Sequence, residues 1–277
     1  MTRHDKFYDG GDALFHYTKL STAIEHILPD KRLKLSRIQD SNDPAESNGM
    51  SLGMWGRRPS EFTEKSFGKI YDTVNSPYRV VSFCSNQTPT LVLHKSQQQA
   101  EELIDSNNCS KGWEKARMWI QYAECHTGIC IVLSKEKLEE NLKNIQEIGQ
   151  YQTGYTKYYY RDNSQINNLS NSKLENDKSG DYAAQYIKNI RFQKHIDYRD
   201  EAEFRVIVSD TTVEYIDIKA SIKAVIVGVE TPKIYETLIQ ELCTGLKCEF
   251  LKVLQDSASC KFHLLPVSGM IKFKKNG

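Results

Sequence analysis

Strand-like apolar runs and helix-spaced apolar positions mix along this 277-residue chain without strict alternation, the pattern of an α+β fold rather than a doubly wound sheet. Ala13-Leu14-Phe15-His16-Tyr17 is short, apolar and aromatic, which predicts a strand. Ser21 then caps a helical pattern of Ile24, Ile27 and Leu28 that Pro29 closes. Leu33-Lys34-Leu35-Ser36 alternates as a half-buried strand does, and Ser41-Asn42-Asp43-Pro44 is turn chemistry. Arg79-Val80-Val81-Ser82-Phe83-Cys84 is β-branched and aromatic, hence a strand that a polar loop ends. Trp113, Ala116, Met118, Trp119, Tyr122 and Ala123 keep helical spacing, Gly128 to Leu133 reads as a buried strand, and a helix at 135–146 follows. Further strands are expected at 202–208, 215–218, 224–229, 249–254 and 262–265, with helices at 182–192 and 234–244. Residues 45–78 and 135–190 read as helical insertions, and 163–180 is too polar to pack.

Length and composition bound the rest. The chain is short enough to bury one mixed core, so a single elaborated domain over 1–277 is expected. Apolar residues make up 39% and charged residues 26%, which supports folding rather than disorder. With 37 basic and 36 acidic side chains the formal net charge is +1, so any polyanion site must be local. Arg57, Arg58, Lys111, Lys115 and Arg117 are candidates for such a patch. The first residues carry charge in place of a secretory apolar stretch, and no apolar run reaches bilayer length, which predicts a cytoplasmic protein with no membrane partner. Seven scattered cysteines without a CxxC pair predict reduced, mostly buried thiols and no metal.

No Gly-rich phosphate loop, GxSxG elbow or HExxH helix is present. The chemistry-bearing segment is Glu201-Ala202-Glu203-Phe204-Arg205. On a strand Glu201, Glu203 and Arg205 share one face, because side chains alternate with period two. That face is either the solvated side of an edge strand or the wall of a cleft. In a cleft, a fixed carboxylate can stabilise positive charge that develops on a bound substrate, a second can orient or deprotonate an acceptor, and Arg205 can pair with a carboxylate or a phosphate oxygen, the division between Glu201 and Glu203 staying open. His16 alone reads as a core histidine beside aromatics, and ring packing is the default for Tyr17 and Phe83. Trp119 and Tyr122 share a helix face, with Trp119 in the core. His126 lies in a turn before a strand and is not expected to be catalytic.

Phe15-His16-Tyr17-Thr18, Asn42-Asp43-Pro44-Ala45-Glu46, Val81-Ser82-Phe83, the stretch from Trp119 and Tyr122 to His126 and Gly128, and Tyr198 to Arg205 together resemble a widespread bacterial family of uncharacterised proteins. Both ends of that pattern are in turn similar to ADP-ribosyltransferases, including the toxin branch that modifies DNA bases, and to the related tRNA phosphotransferases. The resemblance implies two small sheets forming an NAD cleft, with NAD as cosubstrate. It implies a strand-borne NAD-holding histidine at His16 beside Tyr17 and Thr18, and a catalytic glutamate at Glu203. Ser82 stands where related enzymes place a small polar residue near the nicotinamide ribose; Phe83 and Tyr17 are candidates to stack on nicotinamide or adenine, and Arg37, just past the second strand, is a candidate pyrophosphate ligand. Asn42, Asp43 and Glu46 are either an Asx-Pro turn or substrate-side groups. The implied activity is mono-ADP-ribosylation of a macromolecule, first of all a nucleic-acid base in RNA or DNA, by a toxin or phage-defence effector with an antitoxin protein as a further partner. A NAD glycohydrolase, a phosphotransferase of the same fold and a non-catalytic binding module are the alternatives.

Overall fold

A computed structural model describes residues 6–41, 78–92, 111–144, 150–159, 191–209, 212–256 and 261–267. The expectations for Asn42, Asp43, Pro44, Glu46, Arg57 and Arg58, for 163–180 and for most of the 182–192 helix lie outside these residues. Among the described residues fourteen strands run in chain order. They are β1 Ala13–Thr18, β2 Arg32–Lys34, β3 Ser36–Arg37, β4 Tyr78–Ser85, β5 Thr90–Val92, β6 Ile129–Ser134 and β7 Gln150–Tyr155, then β8 Lys157–Tyr159, β9 Gln193–His195, β10 Glu203–Ser209, β11 Tyr215–Asp217, β12 Ile222–Val227, β13 Glu249–Gln255 and β14 Phe262–Pro266. Helix α1 joins Leu20–Thr22, a π-helical turn Ala23–Ile27 and Leu28–Asp30; α2 is Ala116–Tyr122, α3 Lys135–Asn144 and α4 Glu236–Leu246. The α+β class is thus observed.

Nine strands form one sheet in the order β14-β13-β12-β6-β1-β4-β10-β7, with β3 beside β4; β11 pairs β2, and β5-β8-β9 make a small sheet of their own. Of the neighbours in the large sheet, β12 and β13 are parallel, joined through α4, and the other pairs are antiparallel. Both faces are covered. Leu14, Ile131, Phe83, Phe204 and Val206 face a core completed by α1, α3 and α4 through Ile27, Leu138 and Ile239. Phe15, Tyr17, Val132 and Ile226 face a second core with Trp113, Met118 and Trp119. β6 lies under both and is buried at all six positions, which is why it reads as an unbroken apolar run.

The two sheets expected around a cleft are continuous here, but the seam is thin. β1 pairs β6 at six positions and β10 pairs β4 at seven, whereas β1 meets β4 at only Leu14↔Ser85 and Phe15↔Cys84. Beyond Phe15 the two strands part, and the opening lies between His16 and Tyr17 on one side and Ser82 and Phe83 on the other.

Several local readings change. α1 begins at Leu20 with no side-chain cap, so Ser21 sits inside its first turn; Pro29 is tolerated in the last turn, and left-handed Lys31 (φ 57°) ends the helix. The alternating segment at Leu33 divides, Arg32–Lys34 pairing β11 and Ser36–Arg37 pairing β4. The segment from residue 135 is no simple insertion, since β7 pairs β10 over six positions and β8 builds the small sheet. Its polar Gln150-Tyr151-Gln152-Thr153 sequence hides a strand whose hydrogen bonding comes from the neighbour rather than from apolar propensity.

Candidate functional site

A cavity of about 290 Å³ fills the opening between β1 and β4. Its walls are His16 and Tyr17 of β1, Ser36 and Arg37 of β3, Ser82 and Phe83 of β4, and Met118, Gln121 and Tyr122 of α2. Its lining also includes Lys34, Asp40, Lys194, Tyr198, Glu201, Glu203 and Arg205.

The carboxylates reach it by different routes. Glu203 opens β10, where Phe204, Val206 and Val208 turn to the core. Glu201 is not on that strand; it ends the 3-10 helix Ile196–Glu201, and Ala202 between them is left-handed (φ 42°). This non-glycine turn is held by Ala202 N–H donating to Arg199 O at 3.0 Å and by Ser85 Oγ donating to Ala202 O at 2.6 Å. Alternation on one strand is therefore not what brings the two glutamates together. Nor is this a solvated edge, because β10 pairs on both sides and Glu201, Glu203 and Arg205 are each 3% exposed.

Buried charge requires partners, and each has several. Arg205 Nη2 donates to Glu203 Oε2 at 2.8 Å, and Arg205 Nη1 donates to Arg191 O at 2.9 Å. Thr156 Oγ1 donates to Glu203 Oε2 at 3.3 Å, while the Glu203 N–H donates to Tyr158 Oη at 2.9 Å. Tyr122 Oη donates to Glu201 Oε1 at 3.0 Å, and Arg117 Nη2 lies 3.7 Å from the same oxygen. Lys194 bridges the pair, 2.7 Å from Glu201 Oε2 and 3.3 Å from Glu203 Oε2. Burial by itself pushes the Glu203 carboxyl up, but Arg205, Lys194 and hydrogen bonds from Arg205 and Ser82 outweigh it and hold the pKa at about 2. Glu203 is thus a fixed anion at neutral pH, suited to meeting positive charge and unsuited to shuttling a proton.

His16 is the opposite case. Burial pulls its pKa down to about 4, against a Ser82 carbonyl that favours the protonated ring. Its Nδ1 lies 3.4 Å from Ser82 O, which assigns the proton to Nδ1 and leaves Nε2 as an acceptor. Tyr17 lines the cavity with its hydroxyl already donated to Gly112 O at 2.5 Å and its ring edge-on to Trp119, so it anchors the wall.

Of the residues expected from sequence, Glu201, Glu203, His16, Tyr17, Arg37, Ser82, Phe83 and Arg205 all line this cavity. Thr18 does not line it: it ends β1 opposite Ile129, buried, with its carbonyl packed where a Cβ on Gly128 would come within 2.4 Å. Arg205 is committed to Glu203, which leaves exposed Arg37 as the arginine open to a phosphate. Trp119 is fully buried as expected, and His126 packs beside it in a left-handed turn away from the cavity. Of the expected basic patch, Lys111 bonds Asp9 O and Arg117 is drawn to Glu201. Sequence reading missed Thr156 and Tyr158, which stand 47 and 45 residues from Glu203 in the chain, and Lys194, which is only seven residues from Glu201 but on a short strand without periodic signal.

Among the described residues no group of three or more His, Cys, Asp or Glu is gathered to hold a metal ion, and no helix is long and apolar enough to cross a membrane. Cys84, Cys130 and Cys243 are buried free thiols, Cys248 is half-buried and Cys125 exposed. Residues 118–206 are similar to a family described as a protein of unknown function, DUF2971. No curated protein and no solved structure matches the chain. The matched span runs from α2 into β10 and so contains Tyr122, Lys194, Glu201, Glu203 and Arg205, while His16 and Ser82 lie outside it.

Proposed function

We propose that the protein is a mono-ADP-ribosyltransferase with an ADP-ribosyltransferase-like core, using NAD as cosubstrate and a nucleic-acid base as first acceptor. The observation that carries this reading is a permanently anionic, buried Glu203 facing, across a cavity opened by parting strands, a neutral histidine.

The cavity is at the lower end of the roughly 300–1,000 Å³ common for ligand pockets and would take the nicotinamide-ribose half of NAD, with the rest leaving past Arg37. His16 would accept a ribose hydroxyl at Nε2. Glu203 would accept another, so that its charge meets the developing oxocarbenium ion as the bond from ribose C1′ to the nicotinamide nitrogen breaks. The electron pair leaves on nicotinamide, which becomes neutral. An acceptor nitrogen or oxygen then bonds C1′ and releases its proton toward Glu201 or water. Exposed Lys34 and Arg37 at the rim suit an acceptor or cosubstrate that carries phosphate. A cytoplasmic toxin or phage-defence role, with an antitoxin partner, follows from the sequence resemblance.

The test incubates the purified chain with labelled NAD and a mixture of RNA, DNA and cell protein. Label should enter a nucleic-acid fraction, and Glu203→Gln should lower its rate by about 10²–10³-fold. Free ADP-ribose with no adduct would make the protein a glycohydrolase. Unaltered NAD, or a Glu203→Gln variant as active as the parent, would overturn the reading.

A further inference from the structure

We infer that Lys194 is the positioning residue of the carboxylate pair, the group that makes it possible for Glu201 and Glu203 to face one cavity together. Two buried carboxylates that converge on one site repel each other unless a cation stands between them. Lys194 Nζ stands there, 2.7 Å from one and 3.3 Å from the other, on a side chain 8% exposed. Arg205 is paired to Glu203 and Arg117 approaches Glu201, whereas Lys194 reaches both.

The placement also gives the small sheet a purpose. β9 carries Lys194, β8 carries Tyr158, and Thr156 leads into β8 from β7. All three meet the glutamates, so a sheet hydrogen-bonded separately from the large one is fastened to it through this charge. The other groups facing the pair are Tyr122 of α2, Arg205 on the same strand, and Ser82 and Cys84 of β4. Arg205 meets Glu203 at 2.8 Å, and Glu201 has Lys194 at 2.7 Å and the more distant Arg117 at 3.7 Å. Loss of Lys194 would then remove the cation shared by the two carboxylates and raise the proton affinity of Glu203.

The consequence for catalysis rests on the transferase reading above, while the consequence for the carboxylates does not. The experiment is a ¹³C-glutamate carboxyl NMR titration of the full chain, with the Glu203 resonance assigned through Glu203→Gln, for the parent, Lys194→Met and Lys194→Arg. The methionine variant should raise the titration midpoint of Glu203 by about one pH unit or more, and arginine should restore most of the difference. In NAD turnover the methionine variant should lose at least about tenfold in kcat with little change in KM, its acidic limb moving toward neutrality. An unmoved midpoint overturns the inference whatever the turnover. A moved midpoint in a chain that never consumes NAD supports the role of Lys194 and sinks the transferase reading instead. Should the methionine variant not fold, Lys194→Gln, which keeps a donor and no charge, must give the same rise, and its absence overturns the inference.

Discussion

The two walls of the cavity are built on different physical terms. The β10 wall is overdetermined: Glu203 is held by a guanidinium, an ammonium and a hydroxyl, and its N–H is bonded to a buried tyrosine. The β1 wall is held lightly, His16 by one long hydrogen bond to Ser82 and by a tilted contact with the Phe83 ring at 5.8 Å. A charge cannot be buried without company, whereas a neutral imidazole can. The first wall therefore fixes a field and the second is free to serve a ligand as acceptor. The thin seam between β1 and β4 is what lets the two be set independently.

The comparison breaks first, and with the largest expected effect, at Arg205. Arg205→Met removes the guanidinium 2.8 Å from Glu203 and the donor it gives to Arg191 O, so it should cost about 3–5 kcal/mol of stability in urea unfolding. His16→Gln should cost under about 1 kcal/mol in the same measurement. Equal losses would show the two walls to be equally loaded.

The pH dependence of stability sharpens the contrast. Both groups have depressed folded-state pKa values, so both contribute stability at high pH that is lost on acidification, in different windows. His16 is lowered from 6.5 to about 4, and its contribution begins to fade below pH 6.5, as the unfolded ring takes a proton that the folded one refuses. Glu203 is lowered from 4.5 to about 2 and fades below pH 4.5. Unfolding free energy should thus fall by up to about 2 kcal/mol between pH 6.5 and 4.5 through His16. His16→Gln should flatten that interval and Glu203→Gln should leave it as it was. An interval unchanged in His16→Gln would remove the neutral-histidine wall.

What could be read in advance follows the same division. The strands at Ala13, Val81, Ile129 and Phe204 are legible because apolar side chains on a pleated surface leave a local pattern. Glu203 is legible as a charged position at the start of a strand, but its environment is not: Thr156 becomes a neighbour only through long-range pairing, and Lys194 only because the 3-10 helix at Ile196–Glu201 folds the chain between them. The same holds for β7, whose polar sequence becomes a strand because β10 offers hydrogen bonds. Glu201 and Glu203 were placed on one face by alternation, yet a left-handed Ala202 and a 3-10 helix bring them there, and nothing at an alanine announces φ 42°. Thr18 was included because it adjoins His16 in sequence, whereas the strand ends past the cavity.

The smallest expected effect tests whether the β1 wall has an anchor of its own. Tyr17 contributes its ring to the second core, and its hydroxyl donates to Gly112 O at the segment that precedes α2. Gly112 is pressed against β1 so closely that a Cβ there would lie 2.2 Å from the Phe15 ring. Tyr17→Phe keeps the ring and deletes the donor. Among the described residues the Gly112 carbonyl then retains the weak Cys84 thiol at 3.7 Å, and the loss should be about 1 kcal/mol in urea unfolding. Because the hydroxyl is spent on the backbone, NAD affinity measured by calorimetry should stay within about twofold of the parent. A tenfold loss of affinity with unchanged stability would make Tyr17 a ligand rather than an anchor, and the β1 wall would then carry two ligand groups where the hydrogen bonding assigns it one.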